Sequence, residues 1–404
     1  MTKRNRQGAV AAIAALLAAA TGCTGPQSSP AGEGGPRTAE ASPVRGAGSG
    51  GVDKPRAFTL LASGDVLPHS SVIDRAAADA GGRGYDFAPM LAGVAPVVSR
   101  ADLAICHMET VYGPAGGPYT GYPHFTSPPE VATGLRATGF DSCSTASNHS
   151  LDDGADGISR TLGALDRAGI RHAGSARSAA EAARPTLLRA GPGKRAAQVA
   201  HLAYTYGTND IPLPAGQPWA VDLIDERKIV ADARAARRAG ADVVVLSVHW
   251  GTEWQDEPDE EQLGLARRLT ASVSAGRPDI DLIIGTHAHV PQAYEKVNGT
   301  WVIYGMGDQI AGEMINYEGA QDPRGNQGSM GRFTFAPPGG PGRRWTVRKA
   351  EFLPQWYDTD AGRVIGLHPV GDGDGVEDRR EIRDRIRTVV LGRGAGRDGL
   401  VMGE

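Results

Sequence analysis

The sequence predicts an α/β fold in which buried strands alternate with helices. Short apolar runs typical of buried strands alternate along the chain with stretches whose apolar residues recur at helical spacing. Several of the apolar runs end directly in a histidine, carboxylate or amide side chain. Because the carboxyl ends of parallel strands line one crevice in open α/β sheets, the same pattern predicts both the fold and the position of a site.

The chain begins with the features of a secretory signal peptide, which we predict over residues 1–22. A basic start, MTKRNR, precedes an apolar stretch at residues 8–20 that is too short to cross a bilayer comfortably. Small residues stand directly before Cys23, which resembles the lipobox at which bacterial signal peptidase II cuts. We therefore predict an extracytoplasmic protein that a lipid on Cys23 anchors to the cell membrane. The alternative is an ordinary cleavage site and a secreted protein, because Ala20 stands where leucine is commonest in that motif.

Residues 23–55 are predicted to form a disordered tether, because Gly, Pro, Ser and Ala dominate this segment and aromatic residues are absent from it. A folded domain is predicted over residues 56–395. The formal net charge of the chain is −4 and no basic run occurs, which argues against nucleic acid as a partner. No second long apolar run follows the signal peptide, so we expect no membrane-spanning helix.

After Cys23, the chain contains only two cysteines, Cys106 and Cys143. Two cysteines do not make a disulfide framework, although they could pair in an oxidising compartment. Both lie inside apolar, strand-like runs, so we expect each of them to be a small buried residue.

Strands and helices are predicted in chain order from the two patterns. Buried strands are predicted at residues 58–63, 102–106, 140–146, 242–248 and the start of 281–292. Other strands are predicted as a pair within 184–203, a hairpin at 294–304, and half-exposed strands near 332–335 and 345–354. Helices are predicted at residues 71–80, 87–99, 130–138, 157–168, 225–239, 260–274 and 376–390.

Three segments have features that bear on the site, on a turn or on the surface. Residues 113–129 are rich in Gly, Pro and aromatic residues, which predicts a long loop that could fold over a site. Within the hairpin, Asn298-Gly299 is a type I′ turn signal. The charges at helical spacing in 376–390 are typical of a solvated helix face.

Five apolar runs each end in a group that can bind a metal ion or transfer a proton. These groups are Asp65, Glu109, Asn148 with His149, His249, and His287 with His289. His287 and His289 are two residues apart, so on an extended backbone both imidazoles would project to the same side. Any one group has an ordinary explanation, such as a turn-forming aspartate or a core histidine. Their repetition at strand ends predicts that they converge.

This set of groups predicts a site for two divalent metal ions that catalyses hydrolysis. Its ligands would be oxygen and nitrogen atoms without thiolate, which suits manganese, iron or zinc and does not choose among them. Asn148 would supply a neutral oxygen ligand. His149, next to it, could protonate a leaving group or stabilise the charge of the transition state.

An ordered set of motifs extends this pattern along the chain from about residue 58 to about residue 354. The motifs are GD (64–65), MET (108–110), SNHSLDDG (147–154), HWGTEW (249–254), GTHAHVPQ (285–292) and YGMGD (304–308). The set resembles the CapA family of capsule-synthesis proteins, which is associated with poly-γ-glutamate capsules and belongs to the calcineurin-like metallophosphoesterase superfamily. The resemblance implies a metallophosphoesterase-like β-sandwich with flanking helices and a metal site at the carboxyl ends of strands.

The resemblance also implies roles for individual residues. Asp65 and Glu109 would be metal-binding carboxylates, and Asn148 would be a ligand with His149 as its acid partner. The imidazole ligands would be His249, His287 and His289. Glu253 matches the acidic residue of the family's His-Trp-Gly-x-Glu motif and is expected at the edge of the site, with an ordinary surface glutamate as the alternative.

The sequence departs from the family pattern at three places. His107 stands where the family commonly has asparagine two residues before the glutamate, and Asp308 stands where the family's Gly-Asn motif ends. The superfamily's Asp-x-His is absent after Asp65, and the nearest imidazole is His69, whose role as a substitute ligand is open. These departures retain the predicted metal ligands and bear on the substrate.

Three functions fit these observations. The first is a surface-anchored, metal-dependent hydrolase or polymer-handling enzyme that acts on a cell-envelope polymer. The second is a phosphatase or phosphodiesterase for a small or lipid-linked phosphate. The third is a non-catalytic component for binding or export in an envelope assembly. In each case the expected partners are the polymer or its synthesis machinery, together with the membrane that holds the lipid anchor.

Overall fold

Two large β-sheets face each other in the part of the chain that the structure describes. This computed structural model describes residues 56–191, 196–340, 344–368 and 375–404. The predicted signal peptide, the lipidation site Cys23 and the tether up to residue 55 lie outside the described residues. The described residues belong to one structural unit, Asp53–Glu404.

The strands are numbered in chain order. They are β1 (Phe58–Leu67), β2 (Leu103–Met108), β3 (Ser142–Ser144), β4 (Arg171–Ala173), β5 (Thr186–Ala190), β6 (Ala197–Thr205), β7 (Val243–His249), β8 (Val273–Ser274), β9 (Arg277–Pro278), β10 (Leu282–Thr286), β11 (Tyr294–Val297), β12 (Thr300–Ile303), β13 (Asp308–Ala311), β14 (Gln327–Ala336), β15 (Thr346–Asp358), β16 (Arg363–Gly366) and β17 (Leu400–Met402).

The α-helices are numbered in the same way. They are α1 (Ser70–Asp79), α2 (Ala88–Leu91), α3 (Ala95–Val98), α4 (Glu130–Thr138), α5 (Gly154–Ala168), α6 (Ala179–Ala182), α7 (Glu226–Arg238), α8 (Glu260–Ala271) and α9 (Val376–Leu391). Within the described residues, no helix is both long enough and apolar enough to cross a bilayer.

Each large sheet has a central set of parallel strands. The first sheet has the order β16-β15-β14-β1-β2-β3-β4, with β13 beside β1 and β17 beside β15. In it, β1, β2, β3 and β4 run parallel, as do β1 and β13. The second sheet has the order β11-β12-β10-β7-β6-β5, in which β6, β7, β10 and β12 run parallel.

Apolar side chains from both sheets form the core between them. Phe58 and Leu60 of β1 pack into one cluster with Val245 of β7 and Ile284 of β10. The next residue, Leu61, points to the opposite face, where α1 to α5 cover the first sheet. Helices α7 and α8 cover the outer face of the second sheet in the same way. Strands covered on both faces read as continuous apolar runs, which is why the sequence predicted them as buried.

The predicted α/β class and the sandwich of two sheets with flanking helices are confirmed. The prediction that the site groups line the crevice of one open sheet, however, is wrong. Strands β1, β2 and β3 belong to the first sheet, whereas β7 and β10 belong to the second. The fold also continues past the predicted domain end at residue 395, because β17 pairs with β15.

The single helix predicted at residues 87–99 is two short helices, α2 and α3. Pro96 lies at the start of α3, and its missing N–H and its ring do not permit a continuous helix through this point. Gly93 lies between the two helices and packs so closely that an added Cβ would come within 2.2 Å of the Val364 carbonyl oxygen.

A disulfide between Cys106 and Cys143 joins β2 to β3. The two residues face each other in the register of these parallel strands, and both are buried. The two cysteines are buried as expected, but the expectation that they are unpaired is wrong. They pair because the two apolar runs that contain them are adjacent strands.

We expect the double variant Cys106→Ala, Cys143→Ala to have a free energy of unfolding lower by about 4 kcal/mol. The disulfide closes a segment with a sequence separation of 37 residues, and a loop of that size loses about this much chain entropy when it is cross-linked. Urea denaturation without reductant measures the difference. Reductant should lower the midpoint of the wild type and leave that of the variant unchanged; equal midpoints without reductant would contradict the prediction.

Candidate metal centre

The carboxyl ends of strands from both sheets meet at one end of the sandwich. Asp65 of β1 belongs to the first sheet, and His287 follows β10 of the second. The backbone N–H of His287 donates to Asp65 Oδ2 at 3.0 Å, which joins the two sheets at this point. The candidate site therefore lies between the sheets rather than along the edge of one.

Asp65 lies inside β1, not after it, because the strand continues to Leu67. Its backbone N–H donates to the Gly307 carbonyl at 3.1 Å. A Cβ on the preceding residue, Gly64, would lie 1.7 Å from that same carbonyl oxygen. Only glycine permits this close approach, so the Gly-Asp pair is a geometric requirement for placing the Asp65 carboxylate.

Glu109 follows β2 and faces two histidines from the second sheet. Its Oε1 lies 3.8 Å from His249 Nε2 and 3.9 Å from His289 Nε2. Asn148, which follows β3, is on the same side, with its Oδ1 2.9 Å from His249 Nε2. Thr286 Oγ1 lies 2.9 Å from the other ring nitrogen of His249. The structure thus brings these predicted ligands together across the two sheets.

His287 and His289 also lie in the cluster, but not for the reason that the sequence suggested. Strand β10 ends at Thr286, and both histidines have positive φ angles, 97° for His287 and 56° for His289. The prediction of an extended backbone is therefore wrong. Their ring centroids lie 6.0 Å apart because the chain bends sharply here. Such backbone conformations cost about 1–3 kcal/mol per residue and cluster at functional sites.

His149 is held by a carboxylate and by an aromatic ring. Its Nδ1 lies 2.7 Å from Asp152 Oδ2, which also accepts the backbone N–H of Phe125 at 2.7 Å. The Phe125 ring stands edge-on to His149, with centroids 4.8 Å apart. Phe125 belongs to the Gly- and Pro-rich loop at residues 113–129, so this loop does reach the site.

The two candidates at the site edge lie in different places. Glu253 is half-buried and forms a possible metal-binding group with His287 and His289. His69 lies outside all such groups found in the described residues. Its Nδ1 lies 3.1 Å from both the Gly312 backbone nitrogen and the Leu67 carbonyl oxygen, beside the start of α1.

Two residues that the sequence did not predict as ligands belong to the cluster. His107 of β2 forms a possible metal-binding group with Asp65 and His249, and Asp308 of β13 forms another with Asp65 and His289. Both were visible in the sequence only as departures from the family pattern. The signal that could have found them is their position, because His107 directly precedes the MET motif and Asp308 ends the YGMGD motif.

Burial dominates the electrostatics of these groups. Burial, followed by the nearby Asp308 carboxylate, raises the pKa of Asp65 to about 8. Burial likewise raises the pKa of Glu109 well above its usual range, and lowers those of His249 and His287 well below theirs. Burial opposes the charge of His289 too, but Asp308 and Glu109 outweigh it and raise its pKa.

The donor atoms of the cluster fit divalent cations. Within the described part of the chain, several buried atoms have no hydrogen-bond partner: Asp65 Oδ1, Glu109 Oε1 and Oε2, His107 Nε2, His287 Nδ1 and Asp308 Oδ2. Leaving one such group without a partner costs about 1–3 kcal/mol. Divalent cations, which accept lone pairs from carboxylate oxygens and imidazole nitrogens, would provide partners for these atoms.

These features define the class of this protein: a two-sheet α/β sandwich with a buried cluster of carboxylates and imidazoles at its strand ends. The chain belongs to the family described as bacterial capsule synthesis protein PGA_cap, whose model matches residues 59–313. The family predicted from the motifs is thereby confirmed.

Similar curated proteins carry related descriptions. The PGA biosynthesis protein CapA of Bacillus subtilis is 28% identical over 46% of this chain and 47% of its own length. The capsule biosynthesis protein CapA of Bacillus anthracis is 26% identical over 46% and 44%. A probable polyglutamine synthesis accessory protein of Mycobacterium tuberculosis is 29% identical over 47% and 49%. The chain spans about half the length of the curated relatives it matches.

Among solved structures, the chain is similar to the calcineurin-like phosphoesterase YfkN from Bacillus subtilis. The TM-score is 0.45 at 12% identity, over 82% of this chain and 98% of that one. It is also similar to a 5'-nucleotidase precursor from Thermus thermophilus, with a TM-score of 0.43 at 14% identity, over 82% and 59%. These similarities are distant.

Proposed function

We propose that this protein is an extracytoplasmic, metal-dependent hydrolase that processes a cell-envelope polymer of the poly-γ-glutamate type. The observation that carries the proposal is the convergence of buried, unpartnered carboxylate and imidazole atoms from both sheets. Membership of a capsule synthesis family supports the polymer class. A lipid on Cys23 would hold the enzyme at the membrane near that polymer; its support is the sequence before Cys23.

The proposed cofactor is a pair of divalent ions, which the donor atoms suggest to be manganese, iron or zinc. The residues that would hold them are Asp65, Glu109, Asn148, His249, His287 and His289. When bound, such ions polarise a reacting carbonyl or phosphoryl group and lower the pKa of the attacking water.

His149 is the residue we propose for proton transfer. The Asp152 side chain is fully buried and its Oδ2 accepts the Nδ1 proton, so the proton that a protonated His149 can donate is on Nε2. His149 lies close enough to His249 and His287 to affect their charge states. Hydrolysis of an amide breaks the C–N bond, adds hydroxyl to the carbonyl carbon and requires a proton on the leaving nitrogen, which His149 would donate.

Aromatic side chains at the mouth of the site are the proposed substrate contacts. The Tyr206 ring lies 4.5 Å from that of His287, and about half of the residue is exposed. Tyr317, at 72% exposure, lies close to Glu253. Trp254 lies 6.3 Å from the His289 ring. Trp250, in contrast, is buried in the core and donates to the Tyr304 carbonyl.

We expect the manganese-loaded protein to shorten poly-γ-glutamate chains, measured by size-exclusion chromatography and by the appearance of new amino termini. Because Asn148 and His289 are proposed to hold the ions, Asn148→Ala and His289→Ala should abolish the reaction. An aryl phosphodiester is tested in parallel. His124→Ala, which changes an exposed histidine of the 113–129 loop, is the matched control and should leave activity unchanged.

The other results have distinct meanings. Hydrolysis of the aryl phosphodiester alone would overturn the polymer assignment in favour of a phosphoesterase. Stoichiometric metal without hydrolysis of either substrate would indicate a binding or export component. Protein grown with manganese or zinc that contains no stoichiometric metal by elemental analysis would remove the basis of the proposal.

A further inference from the structure

The Asp65 carboxylate lies in the middle of a row of three potential ligands on adjacent strands. In the register of the first sheet, Asp65 is opposite His107 of β2 on one side and Asp308 of β13 on the other. Both pairings are parallel, and side chains at matched positions of neighbouring strands project to the same face. The sheet itself therefore places an imidazole and a second carboxylate beside Asp65.

We infer that His107 and Asp308 are metal ligands, and that each of the two ions of the proposed centre depends on one of them. His107 would bind one ion with Asp65 and His249, and Asp308 would bind the other with Asp65 and His289. This inference rests on the proposed function and adds to it two ligands that are departures from the family pattern.

The surroundings of His107 leave a lone pair available on one of its ring nitrogens. Its Nδ1 lies 2.6 Å from Ser144 Oγ, and Ser144 directs its own hydroxyl proton to the Cys106 carbonyl at 3.5 Å. A proton on the buried Nε2 would have no acceptor within hydrogen-bond distance, which favours the tautomer in which Nδ1 donates to Ser144 Oγ and Nε2 carries a lone pair. That nitrogen is buried and has no hydrogen-bond partner within the described ranges.

The free lone pair of His107 is directed at other unpartnered groups. Nε2 lies 3.8 Å from Asp65 Oδ1, too far for a hydrogen bond, and Oδ1 is also without a partner in the described structure. The His107 and His249 rings stack with centroids 4.7 Å apart. His107 Nε2 and Asp65 Oδ1 therefore face the same buried space, and a cation bound there would accept a lone pair from each of them.

Asp308, on the other side of Asp65, also has a buried atom without a hydrogen-bond partner in the described structure. Its Oδ1 accepts the Nδ1 proton of His289 at 2.9 Å, and His289 Nε2 faces Glu109. Its Oδ2 is buried and lacks a partner among the residues described. One carboxylate oxygen thus orients a ligand histidine while the other remains available to an ion.

The hydrogen bonds of another buried histidine, His201, provide a comparison for those of His107. His201 of β6 lies between the two sheets, with Nδ1 2.9 Å from Ser142 Oγ and Nε2 2.8 Å from Ser247 Oγ. Both of its nitrogens are satisfied by hydroxyls. His107 has a hydroxyl at one nitrogen only, so packing between the sheets does not account for its second nitrogen.

The test is to count and characterise the ions bound by metal-stripped protein that is titrated with Mn²⁺ or Co²⁺ alone. Calorimetry and elemental analysis give the stoichiometry, and the visible absorption of Co²⁺ reports its nitrogen ligands. Wild type should bind two ions. His107→Ala should bind one of them at least about 10-fold more weakly and alter the Co²⁺ spectrum. Asp308→Asn, which keeps an oxygen for His289, should weaken the other ion.

Controls separate loss of a ligand from loss of the fold. His107→Asn restores the family's residue and provides a second, smaller change, and thermal unfolding of the stripped variants checks that they fold. His201→Asn should still bind two ions. If wild type and both site variants bind two ions with equal affinity and spectra, the inference is wrong while the proposed centre stands. If wild type binds none, both are wrong.

Discussion

Metal-stripped protein is expected to lose stability as the pH rises from about 6.5 to 8, and saturating Mn²⁺ is expected to reverse this trend. The pKa of Asp65 in the folded state is about 8, whereas that of an unfolded aspartate is about 3.9. Between these values the folded state binds a proton that the unfolded state lacks, so stability falls with rising pH. Asp65 alone contributes about 2 kcal/mol over this range.

The other groups set the pH window. Glu109 and His289 also have raised pKa values and act in the same direction as Asp65. His107, with a pKa of about 3, and His249 have lowered values, so they favour folding as the pH rises. Their effect fades above pH 6.5, because unfolded histidine has a pKa of about 6.5 and also loses its proton there. Above that pH, only the destabilising contributions remain.

Bound ions reverse the pH dependence of stability, because they require deprotonated ligands and bind more tightly at higher pH. Two ions at about 100 times their dissociation constants would add about 5 kcal/mol, which raises Tm by about 7 °C in a domain of this size. Thermal unfolding at several pH values with chelator or with Mn²⁺ measures both effects. Asp65→Asn should flatten the curve of the stripped protein; identical Tm values with chelator and with Mn²⁺ would contradict the prediction.

The sequence predicted those parts of the centre that local patterns determine. Asp65, Glu109 and His249 each follow or end an apolar run, and buried strands covered on both faces produce such runs regardless of how the sheets are arranged. The partition of these strands between two sheets depends on packing at long range, which no local pattern records. The same holds for the disulfide, since the pairing of Cys106 with Cys143 depends on β2 and β3 being neighbours.

Backbone conformation and short strands were also outside the reach of the sequence patterns. The positive φ angles of His287 and His289 are conformations that non-glycine residues rarely adopt, so an extended segment was the natural prediction. Strand β13 has only four residues and follows Gly307, so neither periodicity nor length indicated it. Asp308 therefore lacked the context that would have placed it beside Asp65.

His149→Ala is expected to lower kcat by about 10²- to 10⁴-fold with no change in bound metal, because it removes the proton donor and leaves the proposed ligands intact. Asp152→Asn is expected to have a similar effect. An amide lacks the negative charge with which the Asp152 carboxylate stabilises the imidazolium, so less of the proton-donating form would face the substrate.

A positioning role for Asp152 is distinguished from a structural one by the pH profile of kcat. Asp152 also accepts the backbone N–H of Phe125, so a general loosening of the loop would raise KM and lower Tm as well. Loss of the proton donor alone lowers kcat and changes the pH profile of kcat, with KM, Tm and metal content retained. His124→Ala, in the same loop, should leave all four quantities at their wild-type values. Wild-type kcat in His149→Ala would show that another group supplies the proton.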